Sequence, residues 1–220
     1  MSSDRLGDHD FVPTRLIDVR KIIAYEQSSP SEEILLAADT IEGYDFEQAS
    51  DQLSSLVPSN IKVTRIYRGR LDQTVAKKLL LDGIQRGQKI VNYTGHGSTN
   101  VWRGNLLTAK DAASLEGAGR YSVFLTMTCL NGYFHGAADD SLAESLMKVE
   151  NGGAVAVWAS SGLTQPGEQA LMNQQFYRLL FGEGGLALGE AVRKAKAAVN
   201  DLDIRRTWIL LGDPSMRFNK

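Results

Sequence analysis

Two side chains in this sequence have the chemistry of a nucleophile and a proton carrier, Cys129 and His96. His96 lies between two glycines in the stretch IVNYTGHGSTNVW, directly after an apolar run, and Cys129 ends the next apolar run. If these runs are neighbouring strands, both side chains emerge at the same edge of one sheet. A thiol beside an imidazole is the pair that covalent acyl transfer uses.

The main chain around these two residues would complete such a site. Free cysteine is only a few per cent thiolate near neutral pH, so it needs a nearby imidazole and a group that polarises the substrate carbonyl. Gly97 and Cys129 each offer a backbone N–H to an oxyanion, and Gly97 has no side chain to block the carbonyl. The spacing alone leaves a second interpretation open, in which Cys129 is a small buried hydrophobe and His96 only tolerates an unusual turn.

Length and composition predict one α/β domain. The 220 residues are 43% hydrophobic, which is enough for a sizeable core, and no repeat or linker divides them. The net charge is −2 and the basic residues are scattered, so a nucleic-acid partner is excluded. No apolar run approaches the ~20 residues of a membrane span, and no signal peptide is recognisable. The single cysteine excludes an internal disulfide.

Apolar runs alternate with helical patterns, which predicts a mostly parallel sheet covered by helices on both faces. The predicted strands are 33–39, 61–67, 89–96, 121–129, 153–160 and 207–213. The predicted helices are 16–27, 46–56, 72–86, 140–150, 168–181 and 187–200. In such sheets a ligand site lies off the carboxyl ends of the strands, which is where His96 and Cys129 are expected.

The segments around both residues resemble a known family. NYTGHGS, Trp102, TCLNGYF, SLAESLMK, GAVAVWASS and TWILLGDPSM are similar, in order and spacing, to the catalytic domain of the gingipain family of cysteine peptidases, in the caspase-like clan. The resemblance covers about residues 15–217. It implies a caspase-like, three-layer α/β/α domain with a mostly parallel six-stranded sheet. Residues 15–220 would form this peptidase domain, and residues 1–14 would be an N-terminal extension.

The resemblance also implies catalytic roles. Cys129 matches the nucleophile and His96 its acid/base partner, while Gly97 supplies one oxyanion donor. Asp39, which ends the run ILLAAD, matches an acidic residue that orients the histidine.

Three further residues match the primary specificity pocket of the arginine- and lysine-specific members. Asp45, in YDFEQ, matches the aspartate at the base of that pocket, and Thr94 and Met127 match residues that wall it. The chain departs from the family at SGLTQPGEQA, where gingipains have a tryptophan over the pocket, and in a shorter loop between Asp39 and Asp45.

The resemblance therefore predicts a cysteine endopeptidase that cleaves after Arg or Lys and acts on protein or peptide substrates. It also implies an extracellular or cell-surface location in a bacterium, within a longer multidomain protein. Two alternatives stay open: a partner-regulated protease module like the CHAT domains, which the C-terminal half also resembles, and a catalytically silent binding or surface domain of the same fold.

No cofactor is required by this chemistry, although structural calcium is a candidate. Carboxylates cluster in GDHD at 7–10 and in ADD at 138–140. Neither stretch has a defined calcium-loop pattern, so we interpret them as solvated or helix-capping charge.

Overall fold

The computed structural model describes residues 14–29, 31–136, 139–183 and 185–218. The strands are β1 (Glu33–Ala38), β2 (Lys62–Tyr67), β3 (Ile90–Thr94), β4 (Gly97–Ser98), β5 (Val101–Trp102), β6 (Ser122–Met127), β7 (Ala154–Ser160) and β8 (Trp208–Leu211). The helices are α1 (Thr14–Gln27), α2 (Phe46–Ser54), α3 (Gln73–Gln85), α4 (Ala109–Ala113), α5 (Leu142–Lys148), α6 (Pro166–Arg178), α7 (Leu188–Ala197) and α8 (Leu202–Thr207). A 3₁₀ turn at Arg103–Asn105 and a π turn at Leu179–Glu183 complete them.

Six strands form one sheet in the order β2-β1-β3-β6-β7-β8. Neighbouring strands are parallel except β7 and β8, which pair antiparallel. The predicted fold class is thereby confirmed, and each predicted strand is found with its ends within two residues of those expected. The central strands β3 and β6 are buried along their whole length, because helices cover the sheet on both faces.

Alternate residues of each strand feed two separate cores. Leu36, Met127 and Trp158 belong to the core that also contains residues of α2, α6 and α7. Leu35 and Phe124 belong to the core that contains residues of α3 and α5. This alternation follows from the two-residue period of a strand, and it decides which helices surround each strand end.

Capping boxes open two of the described helices, α5 and α4. The side chain of Ser141 accepts a hydrogen bond from the backbone N–H of Glu144, and the Glu144 carboxylate accepts from the Ser141 N–H, so a capping box opens α5 within the predicted helix 140–150. Thr108 and Asp111 form a second capping box that opens the short helix α4. Within the described residues no helix has the length and apolar character needed to cross a bilayer.

The chain after β3 reverses sooner than the sequence predicts. The predicted strand runs to His96, whereas β3 ends at Thr94 and the chain turns into the hairpin β4–β5. Gly95 permits this reversal, because a Cβ atom there would lie 2.5 Å from both the Cβ of Asp39 and the hydroxyl of Tyr93. The reversal places His96 at the mouth of the sheet rather than within it.

Candidate active site

Adjacent central strands bring His96 and Cys129 to the same edge of the sheet. Thr94 and Met127 form the last residue pair between β3 and β6, and the N–H of Gly95 donates to the carbonyl of Met127 at 3.2 Å. His96 and Cys129 each lie two residues beyond that pair, at the carboxyl ends of their strands. The side chain of His96 is exposed and that of Cys129 is half-buried, so both are accessible from the same edge.

The loops that carry the two residues touch at Gly97. A Cβ atom at this position would lie 2.7 Å from the hydroxyl of Thr128 and 2.9 Å from the carbonyl oxygen of Val101. Only glycine fits there without displacing a neighbour. The main chain of Gly97 therefore packs directly on the residue that precedes Cys129.

The hairpin geometry directs the N–H of Gly97 away from β5. The N–H of Arg103 donates to the carbonyl of His96 at 2.9 Å, which makes these two residues a hydrogen-bonded pair of the hairpin. Pairs alternate along an antiparallel ladder, so the next pair, Gly97 and Trp102, is of the non-hydrogen-bonded type. Among the hydrogen bonds of the described residues, none uses the N–H of Cys129. Both backbone donors can thus serve a substrate oxygen.

The backbone of His96 is held from both sides, and its ring is held by packing. Its N–H donates to the carboxylate of Asp39 at 3.2 Å, and its carbonyl accepts from the hydroxyl of Tyr93 at 2.7 Å. The imidazole lies edge-on to the ring of Phe46, with 5.1 Å between ring centroids and 78° between the planes. In the described part of the chain no hydrogen bond engages the imidazole nitrogens, and the bonds to Asp39 and Tyr93 are made by the main chain of His96.

Asp39 is fully buried at the end of β1 and is neutralised by Arg68. One carboxylate oxygen accepts from the Arg68 guanidinium and from the N–H of Thr40 at 2.8 Å, and the other accepts from the N–H of His96. The carboxylate thus contacts the main chain of His96 rather than its ring. The orienting role implied for Asp39 stays a prediction, and the contact seen in this structure is with the His96 N–H. Sequence reasoning missed Arg68, which follows β2 without any distinctive motif.

Asp45 is the N-cap of α2 and lies one residue before Phe46. Its carboxylate accepts a hydrogen bond from the N–H of Gln48 at 2.9 Å, and the residue is half-buried. Because Phe46 contacts the ring of His96, Asp45 lies at the border of the candidate site. Its role as the base of the specificity pocket stays a prediction.

Thr94 and Met127 lie directly beneath His96 and Cys129. They are 2% and 0% exposed, and the hydroxyl of Thr94 accepts from the side-chain amide of Asn92 at 3.3 Å. Neither side chain faces solvent in this structure. The pocket-wall role implied for these two residues also stays a prediction.

The thiol of Cys129 is bracketed by the main chain of Thr164. The N–H of Thr164 donates to the sulfur at 3.5 Å, and the thiol donates to the Thr164 carbonyl at 3.6 Å. Leu163, beside it, is 75% exposed at the rim of the site. Thr164 was not expected from the sequence, because a residue of any type can make contacts through its main-chain atoms.

Of the two carboxylate stretches considered for calcium, only Asp139 and Asp140 are among the described residues. The stretch 7–10 lies outside the described residues, and within 138–140 the carboxylate of Asp140 pairs with Lys148 at 2.6 Å. Where the structure describes the chain, no three or more His, Cys, Asp or Glu side chains are grouped to hold a metal ion. Structural calcium stays an untested prediction.

The sequence of this chain is similar to those of known proteins. The family model of Peptidase family C25 matches residues 17–219. Gingipain R2 and Gingipain R1 of Porphyromonas gingivalis are each 26% identical over 174 residues, covering 70% of this chain. The chain spans only 22% and 16% of the lengths of these two relatives.

Solved structures agree on the fold. The crystal structure of the Arg-specific cysteine proteinase gingipain R superposes with a TM-score of 0.82 at 19% identity, covering 93% of this chain and 52% of that chain. The Saccharomyces cerevisiae separase in complex with securin superposes with a TM-score of 0.59 at 12% identity, covering 90% of this chain and 13% of that chain. Since the family model extends over nearly the whole sequence, the chain belongs to Peptidase family C25 and is a gingipain-type domain.

Proposed function

We propose that this chain is the catalytic domain of a cysteine endopeptidase in which Cys129 and His96 cleave peptide bonds through an acyl-enzyme. The observation that carries this proposal is the position of both residues, two places beyond the Thr94–Met127 pair at one sheet edge. The membership in Peptidase family C25 supports the same chemistry.

The reaction begins when His96 takes the proton of the Cys129 thiol. The sulfur attacks the scissile carbonyl carbon, a C–S bond forms, and the carbonyl π electrons move onto the oxygen. As this oxyanion collapses, the C–N bond breaks and protonated His96 gives its proton to the leaving amine. Water then attacks the thioester, giving one proton to His96 and its hydroxide to the carbonyl carbon. The thiolate leaves and recovers its proton from His96.

The backbone N–H groups of Gly97 and Cys129 stabilise the oxyanion. Both belong to loops in direct contact, because the lack of a side chain at Gly97 lets its main chain pack against Thr128 and Val101. Fixed donors of this kind contribute roughly 10²–10³-fold to kcat. The remaining rate comes from the thiol and imidazole and from the positioning of the peptide.

We further propose that cleavage follows Arg or Lys and that Asp45 selects these residues. A carboxylate in a narrow slot is costly to leave unpaired, and a guanidinium satisfies it with two hydrogen bonds. The supporting observations are the position of Asp45 at the border of the site and the sequence similarity to gingipains. Leu163, which is 75% exposed, lies in the segment SGLTQPGEQA, where gingipains have the tryptophan.

The catalytic proposal is tested with Cys129→Ala, because no other thiol exists in the chain. We expect peptide hydrolysis to disappear while the far-ultraviolet circular dichroism spectrum is unchanged. A peptidyl acyloxymethyl ketone should label the wild type once and the variant not at all. Hydrolysis at the wild-type rate by Cys129→Ala would refute the proposal.

The specificity proposal is tested with a positional-scanning peptide library and Asp45→Asn. We expect basic residues at P1 for the wild type and a loss of about 10²-fold in kcat/KM for arginine substrates in the variant. Asparagine keeps a side-chain oxygen for the helix cap, so α2 stays intact. Alkylation of Cys129 by iodoacetamide is the control and should not change. An unchanged P1 profile in Asp45→Asn would show that Asp45 does not select the substrate.

We also propose that the domain works within a longer protein outside the cell or on its surface. The chain spans 22% of Gingipain R2, and the family resemblance implies this location. Immunoblotting of secreted, envelope and cytoplasmic fractions of the native cell tests both points. A single cytoplasmic band near 24.1 kDa would contradict them.

A further inference from the structure

Asn131, two residues after Cys129, is a fully buried amide that holds the β4–β5 hairpin. Its side-chain oxygen accepts from the indole N–H of Trp102 at 2.8 Å, and its side-chain nitrogen donates to the carbonyl of Ser98. The amide therefore reaches from the cysteine loop to both strands of the hairpin. Ser98 directly follows Gly97, so the second bond ends one residue from the oxyanion donor.

The hairpin end of this connection continues to His96. Trp102 is fully buried and stacks on Tyr93, with 4.2 Å between ring centroids and 9° between the planes. The hydroxyl of Tyr93 donates to the carbonyl of His96. Burial raises the pKa of Tyr93 well above its usual value, so the hydroxyl stays protonated and keeps donating.

The cysteine end of the connection rests on a fixed main chain. The N–H of Leu130 donates to Gly162 at 3.2 Å, and the N–H of Gly132 donates to Ser160 at 2.8 Å. The carbonyl of Asn131 accepts from the N–H of Ala143 at 3.0 Å. The backbone of Asn131 is thus anchored to the end of β7 and to α5, and its side chain extends from a rigid base.

We propose that Asn131 is a positioning residue that sets the distance between the two oxyanion donors, the N–H groups of Gly97 and Cys129. This inference rests on the cysteine-peptidase function proposed above. An amide presents one acceptor and two donors, so it can serve an indole N–H and a carbonyl oxygen together. A carboxylate of the same shape has acceptors alone and would face the Ser98 carbonyl with a lone pair.

The test variant is Asn131→Asp, with Asn131→Ala as a second variant that removes both bonds without adding charge. Ile34→Ala is the matched control, because Ile34 is fully buried at the amino end of β1, in the core that does not contain Trp102, and the site lies at the carboxyl ends of the strands. Thermal melting ranks the stability of all three, so that a lower activity is not confused with unfolding. Each is assayed in the full chain with the best substrate from the peptide library.

Two reagents separate positioning of the oxyanion donors from general damage. A peptide aldehyde adds to Cys129 and forms a hemithioacetal whose oxygen needs those donors, whereas iodoacetamide alkylates the thiol without forming an oxyanion. We expect both Asn131 variants to lose about 10- to 100-fold in kcat/KM, through kcat more than KM. Aldehyde affinity should fall by a similar factor, and the alkylation rate should stay within about twofold of wild type.

The inference is overturned if kcat/KM and aldehyde affinity stay at wild-type values, or if Ile34→Ala loses as much activity at equal stability. It is also overturned if alkylation slows by the same factor as hydrolysis, because the amide would then act on the thiol itself. Failure of the underlying function looks different. In that case wild-type protein would neither hydrolyse peptides nor bind the aldehyde, and Cys129→Ala would behave as the wild type.

Discussion

The two sides of the candidate site differ in the atoms that hold them, which belong to side chains around His96 and to the main chain around the Cys129 thiol. On the His96 side, side chains do the holding: the Asp39 carboxylate and the Tyr93 hydroxyl bind the loop, and Phe46 supports the ring. On the Cys129 side, the contacts to the thiol come from the main chain of Thr164. Contacts made by a side chain are lost when that side chain is replaced, whereas contacts made by the main chain depend on the backbone geometry.

This difference predicts which substitutions should have large effects on the site. Changes on the histidine side remove a donor or acceptor outright and should have large effects. Changes of the side chain at Thr164 or Leu130 leave the contacting main-chain atoms in place and should have small effects, whereas Asn131 binds the hairpin through its side chain. The two sides meet at Gly97, where even one added carbon has no space.

Asp39→Asn should have the largest effect of the substitutions on the histidine side, and this effect is on stability. Arg68 is only 14% exposed, so loss of its partner leaves a buried charge uncompensated and should lower the free energy of unfolding by roughly 3 to 5 kcal/mol. Urea denaturation measures this loss. The double variant Asp39→Asn, Arg68→Met should recover part of it, and a loss below about 1 kcal/mol in the single variant would show that the pair is unimportant.

Gly97→Ala changes the residue at which the two sides of the site meet. The added Cβ would displace Thr128 or the Val101 carbonyl, so the Gly97 N–H moves and kcat/KM should fall by about 10²-fold. Steady-state kinetics with a peptide substrate measures the change. Gly43→Ala offers a control, since a Cβ there contacts nothing and only its positive φ adds strain. Unchanged kinetics in Gly97→Ala would remove this residue from the site.

Tyr93→Phe should have a moderate effect on the histidine side. It removes one hydrogen bond to the His96 carbonyl, while the bond from the Arg103 N–H remains. We expect a loss of about 1 kcal/mol in the free energy of unfolding and a decrease of a few fold in kcat/KM. Urea denaturation and kinetics check the two values, and a loss of activity above about 10²-fold would mean that this bond alone positions His96.

Leu130→Gly should have the smallest effect, because it lies on the cysteine side. Leu130 has φ of 61°, a left-handed conformation that glycine adopts without strain. Relief of strain offsets the extra backbone entropy of glycine, so the free energy of unfolding should change by less than about 1 kcal/mol. Urea denaturation checks this value. A loss above about 2 kcal/mol would show that the leucine side chain holds the cysteine loop.

The sheet could be predicted from the sequence because strands that are buried on both faces consist of continuous runs of apolar residues. Continuous apolar runs marked all six strands of the main sheet. The hairpin β4–β5 was missed, because strands of two residues leave no periodic pattern. The helix α8 was missed for a similar reason, since six residues with mostly polar side chains show little periodicity.

The site could be predicted only in part. The strand order places His96 and Cys129 together as expected, since both follow apolar runs that pair. The partners of each residue were beyond sequence reasoning, because Arg68 and Phe46 come from distant segments and Thr164 acts through main-chain atoms. Asn131 was interpretable only as a turn residue, because a buried amide and an exposed one look alike in sequence.

The pairing of β3 with β6 has a consequence for how the chain acquires activity. These strands are separated in sequence by the hairpin and α4, and they occupy the centre of the sheet. Parallel pairing between distant segments is slow relative to helix formation. During refolding the helical signal should therefore return before peptide hydrolysis does. A nascent chain would therefore lack the proposed peptidase activity until β3 and β6 have paired.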